Sequence, residues 1–426
     1  APPTRGGGWR FELRTTDDPF LDNVQLGCPE GVYFHHRPRV GGALIGGRHV
    51  TSPPPCAAGG TCMIDCSDNL FCDPLVDALK AGGSRCGDNG VRVRLPRVFG
   101  FCGGVTRAVD LLQRELATAD RPIWLLGPII HNDAVNAWFR DHGVHILPED
   151  DPGQCLGQAA PTDCFVIPAF GLPLTVQNRL SAFVDPDGRI VDTTCPYVTR
   201  IWDFVGDRSA HGRTIVIHGK PGHPETNGIL SRSLTPRNGA VLVPDLAHAR
   251  ILAEDLRRGE FAAYPRHLSR NPDVLCLRDL ASVNQTTMLY AETEQIEDLL
   301  RQAAAQSDGR LETMNTVCRA TQERQDAARQ LCEQGCDAYV VVGGFDSSNT
   351  NRLYAMARAA GPAYFIRDAD AIENHRIHHY DPDTGHETTT PDWLPSAAAD
   401  IGVLAGASCP DRIIGNVVRT LQAAGS

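Results

Sequence analysis

At 426 residues, with 51 acidic against 40 basic side chains and a net charge of −11, the chain is long enough for more than one domain, and nucleic-acid binding is not its expected business. No apolar run reaches the length of a membrane span, so no membrane segment is expected. Fifteen cysteines, in a sequence with no signal-peptide pattern, predict a cytoplasmic protein that uses thiols for metal or redox chemistry and argue against a disulfide scaffold.

Residues 1–90 are rich in Gly, Pro and Cys and poor in helical periodicity. Gly6-Gly7-Gly8 and Pro53-Pro54-Pro55 read as irregular or linker-like, so this part is expected to be an irregular, Cys-rich N-terminal extension. Cys56, Cys62, Cys66 and Cys72 crowd into seventeen residues, with a spacing that matches no standard zinc or ferredoxin pattern. Two readings stand: a second metal centre, through which electrons could arrive, or a loop-rich segment with incidental thiols.

From residue 91 a short apolar run, a Gly/Pro/Ser-rich turn and a helical segment alternate, which predicts an α/β fold with mainly parallel sheets. Three similar units are expected. The first, residues 91–186, takes its strands from Val91–Val98, Ile123–Leu126 and Cys164–Ile167. The second, residues 187–310, uses Arg189–Val191, Thr214–Ile217 and Ala281–Val283. The third, residues 311–426, uses Ala338–Val342, Ala363–Ile366 and Ile401–Leu404. Residues 255–280 and 375–396 read as insertions or long loops.

One cysteine falls near the start of each unit: Cys102 in Phe101-Cys102-Gly103-Gly104, Cys195 in Thr194-Cys195-Pro196, and Cys318 in Val317-Cys318-Arg319. Each follows a β-like run and precedes a helical pattern. Strand ends in α/β units point to one edge, where ligands bind. Three such thiols could therefore meet, and three thiolates suit an iron–sulfur cluster that keeps one iron open. The alternative is that all three are small buried core residues.

Other candidates follow the same strand-to-helix logic. Ser347-Ser348-Asn349 opens a helix after Gly343-Gly344, and Ser408 follows Ala405-Gly406-Ala407. Both suit a phosphate at a helix N-terminus, or serve simply as caps. His131, between a strand and a helix, reads either as a structural hydrogen-bonder or as an anion ligand. His223 and Glu225 share one turn, where the acid could give a proton beside a bound anion or merely pair at the surface.

Six motifs occur in order across residues 91–424: Phe-Cys-Gly-Gly-Val-x-Arg-Ala (101–108), Asp-Thr-Thr-Cys-Pro-x-Val-Thr (192–199), Gly-His-Pro-Glu (222–225), Asn-Gln-Thr-Thr (284–287), Ser-Ser-Asn-x-Asn-Arg-Leu (347–353) and Ala-Gly-Ala-Ser-x-Pro-Asp (405–411). Together they resemble the LytB/IspH family of 4-hydroxy-3-methylbut-2-enyl diphosphate reductases. The resemblance implies three α/β domains around a central cluster and substrate cavity. It implies a [4Fe–4S] cluster on Cys102, Cys195 and Cys318, and diphosphate held by His131, Ser347, Ser348, Asn349 and Ser408. It makes Glu225 the proton source beside His223 and gives Thr286 the substrate hydroxyl, with ferredoxin or flavodoxin as electron donor. The expected product is isopentenyl and dimethylallyl diphosphate. One departure stands out: Phe170 occupies the position of a diphosphate-binding His, and Arg319 and Glu323 also differ from the usual residues. These changes raise the alternative of a paralogue acting on a different phosphorylated or more apolar alcohol. A non-catalytic iron–sulfur redox sensor or electron carrier is a further alternative.

Overall fold

The computed structural model describes residues 70–82, 85–86, 90–149, 153–373, 375–394 and 399–424. The chain divides into two compact units, residues 1–67 and 68–426, and all that follows concerns the second. Cys56, Cys62 and Cys66 lie outside the described residues.

Among the described residues there are eleven helices and three sheets, which make a mixed α/β fold. In the eight-stranded sheet, β1 (Arg85–Cys86), β2 (Arg92–Arg94), β17 (Asp400–Ala405), β12 (Ala338–Val342), β13 (Ala363–Ile366), β15 (Arg376–Asp381) and β14 (Ile372–Glu373) run in that order, and β16 (His386–Pro391) pairs with β15. The five-stranded sheet runs β11 (Arg310–Thr313), β10 (Asp279–Asn284), β7 (Thr214–His218), β8 (Ala240–Val243), β9 (Ser269–Arg270). The four-stranded sheet, β4 (Val144–Ile146), β3 (Ile123–Leu125), β5 (Cys164–Ile167), β6 (Arg189–Asp192), is parallel throughout.

The central strands are continuous apolar runs because helices cover both of their faces. β12 shows the logic. Successive side chains point to opposite faces. Val340 and Val342 pack with Ile414, Val417 and Val418 of α11 (Asp411–Ala423), while Tyr339 and Val341 pack with Ala328 and Leu331 of α9 (Arg319–Gln334) and Leu353 and Ala357 of α10 (Ser348–Ala360). In the same way α5 (Pro196–Ala210), α7 (Leu246–Arg258) and α8 (Tyr290–Ala305) bury Ile201, Leu252, Leu256, Ile296 and Leu300 against the five-stranded sheet. Around the four-stranded sheet, α2 (Gly103–Ala117) and α3 (Asp133–Asp141) contribute Val109, Leu112, Val135 and Phe139, and α4 (Leu174–Phe183) contributes Leu180.

The strands are not shared out as the sequence suggested. Val91–Val98 was expected in the first unit, yet β2 pairs in parallel with β17 of the eight-stranded sheet. Arg189–Val191 was expected in the second, yet β6 pairs with β5 of the four-stranded sheet. A strand joins the edge that offers it parallel partners, and sequence order alone does not reveal that edge. The result is a cycle of crossovers. β2 leaves the eight-stranded sheet through α2 for β3 of the four-stranded sheet. β6 leaves that sheet through α5 for β7 of the five-stranded sheet. β11 leaves that one through α9 for β12, back in the first.

Two further expectations are corrected. The irregular extension does not reach residue 90, because α1 (Pro74–Gly82) is a helix packed on α11 through Val76 and Leu79. Ahead of it Asp73 is fully buried and bonded by Arg419 at 2.7 and 2.8 Å. Residues 376–391 are the β15–β16 hairpin and not a loop. Its β-branched run Thr388–Thr390 suits a pleated strand, and Thr389 and Thr390 bond across to His378 and His379 at 2.8 and 2.9 Å.

Candidate active site

Each crossover begins with a cysteine at a helix N-cap: Cys102 for α2, Cys195 for α5 and Cys318 for α9. Oxygen side chains are the usual caps, so sulfur at all three points to a use beyond helix initiation. The Cys102 sulfur accepts the Val105 N–H at 3.4 Å, and the Cys318 sulfur accepts the Thr321 N–H at 3.4 Å with the Thr321 hydroxyl at 3.2 Å. Pro196 at the first helical position pre-sets α5 behind Cys195. The helix N-termini favour thiolate, but burial opposes it. Burial pushes the Cys318 thiol up to about 11, helped by Cys102 and Cys195, and raises Cys195 for the same cause. Burial thus holds Cys195 and Cys318 toward the neutral thiol, a preference that a cationic group beside them would reverse.

Gly104 shows how close the approach is. A Cβ there would lie 2.8 Å from the Cys195 sulfur and 3.9 Å from that of Cys102, so only glycine leaves room between the two. Among the described residues no three His, Cys, Asp or Glu side chains stand close enough to share one metal ion.

Beside the cysteines lie the ends of six strands. His131 follows β3 and precedes the Asn132 cap of α3. Phe170 follows β5. His223 caps α6 (Pro224–Arg232) after β7, and Thr286 follows β10. Ser347 caps α10 after β12, and Ser408 follows β17. Gly344 and Gly406 permit this convergence, because a Cβ at either would strike the His131 carbonyl or the Thr350 side chain. Ser408 then donates to the His131 carbonyl at 3.1 Å and reaches Ser347 Oγ at 3.3 Å.

All twelve site candidates, Cys102, Cys195, Cys318, His131, Phe170, His223, Glu225, Thr286, Ser347, Ser348, Asn349 and Ser408, line one cavity of about 100 Å³. A larger cleft of about 420 Å³ around Arg121 and Arg189 touches none of them, and it sits at the amino ends of β3, β5 and β6. Cys72 does not line the cavity either.

Several cavity atoms are buried without partners: His131 Nε2 and both Asn349 side-chain atoms. Leaving such atoms unpaired costs on the order of 1–3 kcal/mol each, so a polar ligand is the natural partner. Burial lowers His131 to about 4 and holds His223 well below its usual value, so both rings are neutral near pH 7. His223 Nδ1 accepts the Glu225 N–H at 3.2 Å, which leaves the proton on Nε2. Phe170 stacks on His131 with centroids 4.2 Å apart and meets His223 edge-on at 5.9 Å. Its ring packs the His131 imidazole, while the His131 backbone carbonyl takes the Ser408 hydroxyl.

Glu225 is the acid of the site. It is 2 % exposed, with the Thr286 N–H on Oε1 at 2.6 Å and the Thr286 hydroxyl on Oε2 at 2.9 Å. Burial raises its carboxyl to about 7, against the opposing pull of those two bonds. It can therefore hold or release a proton near neutrality. Sequence reasoning missed Gly104 and Thr321, which shape the sulfur environment, and Thr287 in the cavity wall. Gly104 was legible as the second glycine after Cys102; Thr321 and Thr287 had no signal beyond their neighbours.

The family described as LytB protein has a model that matches residues 93–422. The 4-hydroxy-3-methylbut-2-enyl diphosphate reductase of Thermosynechococcus vestitus is 36% identical over 368 residues, which cover 82% of this chain and 89% of that protein. The protein of the same name from Gloeobacter violaceus is 35% identical over 367 residues, covering 81% and 85%. Among solved structures, the E-1-hydroxy-2-methyl-but-2-enyl-4-diphosphate reductase of Plasmodium falciparum is similar with a TM-score of 0.58 at 22% identity, covering 77% of this chain and 86% of that one. At that identity the likeness speaks for the fold.

Proposed function

This chain belongs to the LytB family, and from that premise we propose that it removes the hydroxyl of 4-hydroxy-3-methylbut-2-enyl diphosphate reductively, giving isopentenyl and dimethylallyl diphosphate. The observation that carries this is the meeting of three N-cap thiols, a buried acid that titrates near pH 7 and unpaired anion-seeking groups in one cavity. The relatives named above carry the matching activity in their names, and nothing in the cavity favours the paralogue or the redox sensor. The three sheets are read as three α/β units around this cavity, joined at the cysteine crossovers.

The thiols of Cys102, Cys195 and Cys318 fit a [4Fe–4S] cluster with three protein ligands, because all three line one cavity and Gly104 leaves space between two of them. Such a cluster would supply electrons singly and leave one iron without a protein ligand. Ser347, Ser348, Asn349 and Ser408 bind the diphosphate at the α10 N-terminus, where free N–H groups and the dipole favour anions. His131 and His223 donate to the same anion as neutral rings, with Phe170 packing His131 in place. Thr286 orients the substrate hydroxyl and holds the Glu225 carboxyl. Glu225, protonated below about pH 7, gives the proton that leaves with the hydroxyl as water. The electron source is an external one-electron carrier of ferredoxin or flavodoxin type. Among the described residues no helix is long and apolar enough to cross a membrane.

The test is anaerobic turnover of this diphosphate with a chemical reductant, on protein of known iron content. Cys→Ser changes at 102, 195 and 318 are expected to lose iron and activity together. Retention of both in all three variants would end the proposal.

A further inference from the structure

Arg324 lies on α9, less than two turns past Cys318, and is 5 % exposed. Its Nε and one terminal nitrogen donate to the Gly100 carbonyl at 3.1 and 2.7 Å. The same terminal nitrogen reaches the Phe101 carbonyl at 2.9 Å, and the other reaches the Ala320 carbonyl at 2.9 Å. Every one of these acceptors is a neutral carbonyl. Glu323, its neighbour in sequence, turns instead to Arg319 at 2.8 Å.

A buried guanidinium remains charged and is costly without an anion. Carbonyl dipoles satisfy its N–H groups but do not cancel its charge. The acceptors also have a pattern. Gly100 and Phe101 lead directly into Cys102, and Ala320 is in the first turn of the helix that Cys318 caps. Cys102 and Cys318 act on the Arg324 charge more strongly than Glu323 does.

We infer that Arg324 is a positioning residue of the thiolate centre: the buried countercharge to Cys102 and Cys318, and the clamp that fixes the Cys102 loop to the Cys318 helix. Its planar fork spans the Gly100 and Phe101 carbonyls, which a lysine ammonium cannot reproduce. A fixed positive charge in a buried site makes the addition of an electron easier, because the reduced centre carries more negative charge. Arg324 therefore raises the reduction potential of what the three thiolates hold. This rests on the reading that they hold an iron–sulfur cluster.

The experiment reconstitutes wild type, Arg324→Gln and Arg324→Lys anaerobically. It records iron per chain, the rate of iron loss to a chelator, and the midpoint potential by spectroelectrochemical titration without substrate. Arg324→Gln is expected to shift the potential to more negative values. Arg324→Lys is expected to keep a near wild-type potential but lose iron faster, because the charge stays and the clamp goes. Equal potentials in wild type and Arg324→Gln would overturn the inference, as would equal shifts in both variants. Should Arg324→Gln fail to fold by circular dichroism, the Lys variant alone decides: a potential far from wild type overturns the role of the charge. A wild-type protein that takes up no iron would instead bring down the cluster reading and this inference with it.

Discussion

At the scale of single residues, the proposed function gives Glu225 the proton and Asn349 the anion. Glu225→Gln keeps the shape and the Thr286 contacts but removes the titrating proton. Turnover is expected to fall by about 10²–10⁴-fold with KM little changed, checked by steady-state kinetics. Activity in the wild type should decline as pH rises through about 7, because the group that must be protonated is raised by burial to that value. The same shift bears on stability. Its folded value lies above the ordinary carboxyl value of 4.5, so its stabilising contribution is complete below 4.5 and is lost as pH rises through 7. Melting temperatures of substrate-free protein between pH 5 and 8 should fall less steeply in Glu225→Gln than in wild type. Asn349→Ala removes a buried amide with no protein partner. It should weaken diphosphate binding by roughly 1.5–3 kcal/mol, read as about a ten- to hundredfold rise in KM with iron content unchanged.

Helix N-termini are the elements on which the site is built. α2, α5 and α9 bring sulfur; α3, α6 and α10 bring His131, His223 and Ser347 with its neighbours. Each begins past the carboxyl end of a strand, so all six dipoles can serve one ligand. Gly104 tests this closeness. Gly104→Ala puts a methyl against the Cys195 sulfur while leaving α2 free to form, since Ala is the better helix former. The variant should show wild-type helix content by circular dichroism and much reduced iron per chain. Phe170 shows the limit of reasoning from one position. A missing histidine suggests a changed substrate. The structure shows a ring that packs His131, a role no reading of the position alone supplies.

At the scale of the whole molecule, the three sheets are tied by exchanged strands, and the exchange puts each cysteine where the chain passes from one sheet to the next. Residues 70–82 belong to this assembly, through Val76 and Leu79 in the core and through the Asp73–Arg419 pair. A chain starting at residue 91 should therefore melt at a lower temperature than one starting at residue 68. Asp73→Ala should cost roughly 1.5–3 kcal/mol in denaturant unfolding, the range for losing hydrogen bonds to a charged group, because the Arg419 left behind is 45 % exposed. Equal melting temperatures for the two truncated chains would show that α1 adds nothing.

The sequence by itself determined the α/β class, most central strands and the chemical inventory of the site. Apolar runs such as Ala338–Val342 and Thr214–Ile217 read as buried parallel strands because both faces are covered, and the turns after them read as ligand loops because polar and glycine residues gather there. The short strands Val144–Ile146 and Arg310–Thr313 gave too weak a pattern to be found. Only the tertiary structure decided which sheet each strand joins, that α1 belongs to the fold, what Phe170 touches, and that Arg324 is buried against the Gly100, Phe101 and Ala320 carbonyls. Those facts depend on contacts between residues far apart in the chain. Local periodicity reports which face of an element is buried; it carries no record of what covers that face.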